Sequence, residues 1–142
     1  MSGESLKGKG LVKGASQGAA LPSLKAFTFA HGVNPETGEV TDVRSDIRGT
    51  NVKGRILFYP FGKGSTTASS WFLETVRLGN HPAGIVTEGV DLSAVIGSTM
   101  AQLLYEKTIP VISGIPRAAY SKLRPGTEVR LDGTSGEVVV RP

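Results

Sequence analysis

The chain has 142 residues, enough for one domain with a substantial core. Apolar residues make up 39% and charged residues 20%, and no uninterrupted apolar stretch reaches the roughly 18 residues that a membrane-spanning helix needs. There is no cysteine, which excludes disulfides and thiolate metal ligands from this chain, while the formal charge of +4 comes with only 6% aromatic residues, a poor match to the basic, aromatic-rich surfaces that bind single-stranded nucleic acid.

In chain order, residues 1–20 read as a loose N-terminal segment by their Gly, Ser and Lys content, with a short β candidate at Leu11-Val12, and residues 21–142 as the domain. The opening residues Ser2, Gly3 and Glu4 lack the apolar region of a secretory signal, so the expected location is cytoplasmic, with neither a membrane nor a nucleic acid as partner. Leu24 to Ala30 is a further β candidate, followed by turn chemistry at Asn34-Pro35-Glu36-Thr37-Gly38. Ile56 to Tyr59 predicts a buried strand. Beyond it, Ala68, Phe72 and Val76 recur every four residues as one face of a helix that Gly79 stops.

A second strand and helix follow, Ala83 to Thr87 and Leu92 to Tyr105, with Asp91 as the helix cap. Thr108 to Ile112 predicts a third buried strand, and alternating strands and helices predict a small parallel sheet. The C-terminal part has a different pattern, in which Val129 and Leu131 alternate with polar residues, Gly133 and Gly136 bracket a turn, and Val138 to Val140 return as a hairpin. The expected class is α/β, a small parallel sheet flanked by helices and antiparallel β segments.

Between the first strand and helix of that series lies Phe61-Gly62-Lys63-Gly64-Ser65-Thr66-Thr67-Ala68-Ser69-Ser70. The first N–H groups of a helix have no partner within it, and the aligned peptide dipoles leave partial positive charge there, so a phosphate or carboxylate is well accommodated. Gly62 and Gly64 permit close backbone approach, Lys63 adds a positive charge, and Ser65 stands where a capping hydroxyl would. Plain capping by Ser65 explains the local pattern equally well. A nucleotide P-loop fits less well, because Gly64 separates Lys63 from the hydroxyl residues.

From about Leu21 to Val140 the chain resembles the small subunit of the aconitase X family, a swivelling β/β/α domain. The motifs are Ala30-His31-Gly32-Val33-Asn34-Pro35-Glu36-Thr37-Gly38, Ser45-Asp46-Ile47-Arg48-Gly49, Gly62-Lys63-Gly64-Ser65-Thr66, and Pro125-Gly126 through the Asp132-Gly133 turn. The resemblance implies a hydro-lyase that dehydrates a small hydroxy acid and works only with an aconitase X-type large subunit. That partner carries the iron–sulfur cluster; none is bound by this chain alone and no metal ligand is assigned to it. It further implies Ser65 as the proton-abstracting base, with Gly62, Lys63, Gly64, Thr66 and Thr67 around the substrate.

Family substrates include cis-3-hydroxy-L-proline and mevalonate 5-phosphate. The segment Ser69 to Arg77 is more similar to the bacterial, hydroxyproline-type enzymes, which makes that substrate the expectation, whereas Ser45 to Gly49 is also similar to the archaeal, phosphomevalonate type. At Glu88-Gly89-Val90-Asp91-Leu92-Ser93 the chain departs from the family's proline-containing acidic turn, a difference that bears on substrate identity. A non-catalytic anion-binding or interaction domain is the reading from another class, since a fold alone does not fix function. His31 reads as surface or interface, His81 as a turn residue, and Trp71 as core or interface. Asp46 and Arg48 form either a local ion pair or, through Arg48, a contact with a substrate carboxylate.

Overall fold

The computed structural model describes residues 4–64 and 66–141. Its strands are β1 (Glu4–Lys7), β2 (Lys9–Val12), β3 (Ala15–Pro22), β4 (Ile56–Tyr59), β5 (Gly84–Thr87), β6 (Val111–Ser113), β7 (Glu128–Asp132) and β8 (Glu137–Val140). Helix α1 (Thr66–Arg77) joins β4 to β5, α2 (Leu92–Tyr105) joins β5 to β6, and the single-turn α3 (Arg117–Tyr120) follows β6. No described helix is long and apolar enough to cross a membrane.

All eight strands belong to one sheet, in the order β1-β8-β7-β3-β4-β5-β6-β2. Its centre, β3 to β6, is parallel. Strand β3 takes part in both kinds of pairing: Ala15 to Ala19 lie antiparallel to β7, and Ala20 to Pro22 lie parallel to β4. Although β1 and β2 are separated only by Gly8, they stand at opposite ends of the strand order. The sheet must therefore curl until its two edges meet. At that seam the Gly8 N–H donates to the Gly136 carbonyl at 2.8 Å, and a Cβ on Gly10 would collide with the Gly133 carbonyl. Glycine is required there by backbone approach.

Curling creates two cores. Side chains alternate across a strand, so Ile56 and Phe58 point into the curl with Val86, Ile112, Val129, Leu131 and Val138. Leu57, Tyr59, Ile85 and Val111 point outward against Phe72 and Val76 of α1 and Ala94 and Ala101 of α2. Burial on both faces is why the parallel strands read as continuous apolar runs. The result is the expected α/β class with β/β/α layering.

The structure corrects three local expectations. Residues 4–20, read as loose apart from the β candidate Leu11-Val12, lie in three strands of the sheet and their short connections; their glycines are there because a Cβ on Gly8 would meet the Ser113 carbonyl and one on Gly10 the Gly133 carbonyl. Leu24 to Ala30 is irregular apart from a bridge at Phe27. Its alternation comes from Phe27 and Phe29, whose buried rings pack edge-on 5.4 Å apart. The third parallel strand begins at Val111 and not at Thr108, in keeping with Pro110, which has no N–H for the ladder.

Candidate active site

Strands β4 and β5 are parallel neighbours, and each runs through a short loop into a helix. The N-termini of α1 and α2 are thereby brought to the same end of the sheet. This end, outside the carboxyl ends of β4 and β5, carries both the glycine loop and the turn at Asp91.

The glycine loop is held by its neighbours. Phe27 N–H donates to the Phe61 carbonyl at 2.9 Å, and Lys63 N–H donates to the Phe27 carbonyl at 3.0 Å, so a buried aromatic residue clamps the loop on both sides of Gly62. A Cβ on Gly62 would strike the Asp91 carboxylate, and one on Gly64 would lie 2.5 Å from the Ala68 methyl and 2.6 Å from the Thr28 hydroxyl. Both glycines therefore stand where the backbone presses on another element. Ser65 lies outside the described residues. Thr66 is the first residue of α1 and Thr67 the second, both exposed.

Gly62, Gly64, Thr66, Ser69, Asp91 and Ser93 line a cleft of about 390 Å³, whose other wall is Val90, Leu92 and Ile96. A larger groove of about 650 Å³ lies against the C-terminal half of α2, lined by residues such as Leu11, Ser98 and Leu103. Among the described residues, no helix N-terminus lines it, whereas Thr66 of α1 and Leu92 of α2 line the smaller cleft.

Asp91, recognised in the sequence only as a cap, also lines this cleft and links β4 to α2. One carboxylate oxygen accepts from the Ser93 N–H at 3.1 Å and the Ser93 hydroxyl at 2.7 Å, which caps α2. Its other oxygen accepts from the Tyr59 hydroxyl at 2.6 Å. Burial, and after it the charge of Asp91, hold the Tyr59 hydroxyl well above its ordinary pKa, so it stays a donor. The Ser69 hydroxyl donates to the Ser93 carbonyl at 3.3 Å and ties α1 to α2. Tyr59→Phe removes the donor to one oxygen of this carboxylate and is expected to cost about 1.5–3 kcal/mol, measured by urea unfolding at pH 7.

Lys63 does not line the cleft. Its Nζ lies 2.7 Å from Asp42 Oδ2. Asp42 also accepts from the Arg44 N–H at 3.0 Å, and Lys63 first, then that N–H, hold its carboxyl below the usual carboxylate range. The lysine thus ties the segment around residue 42 to the glycine loop.

The remaining polar residues fall outside the cleft. Asp46 accepts from the Ser23 hydroxyl at 2.6 Å and the Leu24 N–H at 2.8 Å, and no ion pair joins it to Arg48 among the described residues. His31 is exposed, with a φ of 58°, and its ring lies 4.6 Å from Trp71. His81 is half-buried in the connection before β5, where its carbonyl accepts from the Gly54 N–H at 3.0 Å.

Burial, followed by the charges of Lys107 and Lys53, lowers the His81 pKa below its ordinary 6.5. Below pH 6.5 the unfolded chain therefore binds more protons than the folded one. The contribution of His81 to stability is complete above that pH and is lost as the pH falls through the folded pKa. His81→Gln is expected to flatten the decline in stability between pH 7 and 5, as read from unfolding midpoints across that range.

The donor set of this chain does not fit an iron–sulfur cluster. Cysteine is absent from the sequence, and the described residues bring no three His, Asp or Glu side chains together at ligating distance.

Residues 5–140 match the family model of the aconitase X swivel domain. The chain is 39% identical over 135 residues to the phosphomevalonate dehydratase small subunit of Pyrococcus furiosus, covering 95% of this chain and 94% of that one. Against the small subunit of the same name from Thermococcus kodakarensis the figures are 37% identity, with 95% of each chain covered. Its fold superposes on the crystal structure of Thermococcus kodakaraensis aconitase X in the holo-form with a TM-score of 0.88 at 36% identity, covering 99% of this chain and 100% of that chain. The solution NMR structure of a UPF0107 protein matches with a TM-score of 0.84 at 27% identity, covering 98% and 100%. With its sequence matched almost end to end and the β/β/α layering in common, this chain belongs to the aconitase X swivel-domain family.

Proposed function

We propose that this chain is the small subunit of a phosphomevalonate dehydratase, a hydro-lyase assembled with a large subunit. The observation that carries this reading is the identity to dehydratase small subunits along 95% of the chain. Their names move the preferred substrate from cis-3-hydroxy-L-proline to mevalonate 5-phosphate. The start of α1 at the cleft supports the same choice, because the positive end of a helix dipole suits a doubly charged phosphate or a carboxylate.

In this reading the iron–sulfur centre belongs to the large subunit. Dehydration breaks a C–H bond beside the substrate carboxylate and a C–OH bond on the adjacent carbon, and forms the double bond between them from the C–H electron pair. The hydroxyl oxygen is released as hydroxide, which leaves as water after protonation; a Lewis-acid centre on the large subunit would stabilise that departing oxygen. Ser65 receives the proton of the C–H bond. An isolated serine hydroxyl is too weakly acidic for that role at neutral pH, and the start of α1 supplies the correction: N–H groups and dipole favour the alkoxide, more so once the partner excludes water. The Gly64, Thr66 and Thr67 backbone holds substrate oxygens, Gly62 sets the loop against Asp91, and Lys63 fixes the loop through Asp42.

The test is a comparison of substrates on the purified two-subunit enzyme under anaerobic conditions. Mevalonate 5-phosphate is expected to be dehydrated, with unphosphorylated mevalonate and cis-3-hydroxy-L-proline slower by about 10⁴-fold, as for a site whose polar groups are left unpaired by the wrong substrate. Preferential turnover of the hydroxyproline would overturn the assignment.

A further inference from the structure

Helix α2, Leu-Ser-Ala-Val-Ile-Gly-Ser-Thr-Met-Ala-Gln-Leu-Leu-Tyr, has no charged residue along its 14 positions. Its inner side needs none, since Ala94, Gly97, Ser98 and Ala101 are buried. The outer side is the anomaly: Leu92 is 67% exposed, Ile96 48% and Leu103 71%, at spacings of four and seven that place them in one stripe. A surface helix ordinarily carries charged or polar residues on that face, as α1 does with its exposed Glu74–Arg77 pair. The stripe is continued past the N-terminus of α2 by Val90, 58% exposed, and by Phe61, 47% exposed, beside Gly62. Single exposed apolar side chains are ordinary, whereas a contiguous group of them marks an interaction surface.

We propose that this collar, Phe61, Val90, Leu92 and Ile96 with Leu103 along α2, is the surface that docks on the large subunit. The inference rests on the two-subunit reading above and adds to it the face that is used. Position selects the occupant. Val90, Leu92 and Ile96 are themselves a wall of the cleft, so whatever covers the collar also closes the cleft. A chain lacking cluster ligands needs its partner to face this cleft to complete a hydro-lyase site. A second copy of the chain seated on the same collar would close two incomplete sites on each other. The uncharged face fits a partner surface that is itself apolar and uncharged at its centre, ringed by polar groups.

The test is calorimetric titration of the purified large subunit from the same genome with this chain, under anaerobic conditions. Leu92→Glu combined with Ile96→Glu is expected to weaken association at least about 100-fold, the effect of charging central interface residues. Leu92→Gln alone, which retains good helix propensity, is expected to weaken it about 10-fold. Leu78→Glu, beyond the far end of α1, should bind as the wild type does, and the unfolding midpoints of all three variants should stay near the wild type because the altered side chains are already exposed. Unchanged affinity in the folded double variant would overturn the collar while leaving the two-subunit reading intact. Failure of the wild-type chain to bind the large subunit would overturn that reading and the collar with it. A wild-type dimer in sedimentation that the double variant abolishes, with large-subunit affinity unaffected, would assign the face to self-association and overturn the proposal.

Discussion

Ser65→Ala is expected to lower turnover of the assembled dehydratase by about 10³-fold, within the range for loss of a positioned proton-transfer group, with the complex still forming at wild-type affinity. In the sequence Ser65 directly precedes Thr66, the first residue of α1, which is the capping position, so the substitution is also expected to cost about 1 kcal/mol of stability. Ser65→Gly separates the two effects, because glycine at a cap costs only a few tenths of a kcal/mol. If Ser65 is the base, both variants are inactive and only the alanine variant is noticeably less stable. If it is only a cap, turnover per folded complex survives in both. Single-turnover rates alongside urea unfolding distinguish these outcomes.

Gly62→Ala is expected to damage the same step without touching a reacting group. The new methyl group meets the Asp91 carboxylate, and that carboxylate is not free to swing aside, being held by Tyr59 on one oxygen and Ser93 on the other. The loop must yield. Overpacking of this kind costs about 1–3 kcal/mol, and a shift of about 1 Å in residues that position a reaction costs about 10²-fold in rate. Asp91→Ala on the Gly62→Ala background removes the obstacle, so the two losses should be less than additive in a double-mutant cycle. Full additivity would show that Gly62 and Asp91 do not bear on each other.

Much of this arrangement is legible from local pattern. Strand β4 coincides with its apolar run, and α2 has the predicted bounds and the predicted Asp91 cap, because burial on both faces and side-chain capping each leave a short-range mark. The glycine loop is legible as the connection between β4 and α1. What escapes is contact between distant segments. Nothing near Asp91 announces that it abuts Gly62, and nothing near Lys63 announces its ion pair with Asp42. Strands β1 and β3, and all of β2 but the predicted Leu11-Val12, escape because Gly8 and Gly10 look like flexible chain when read locally, yet they are the residues that let the sheet edges meet. Substrate identity is hardest. The segment Ser69 to Arg77, whose likeness is to the hydroxyproline type, is the helix carrying the core residues Phe72 and Val76, with only Ser69 lining the cleft, so that likeness reflects packing as much as chemistry.

The most direct test of the central claim is an anaerobic titration of the purified large subunit with this chain while the loss of mevalonate 5-phosphate is followed. Dehydration is expected to be absent without the chain, to rise with each addition and to saturate once the large subunit is fully occupied. Full activity of the large subunit alone, or no dehydration at any ratio of the two, would contradict the assignment of this chain as the small subunit of a phosphomevalonate dehydratase.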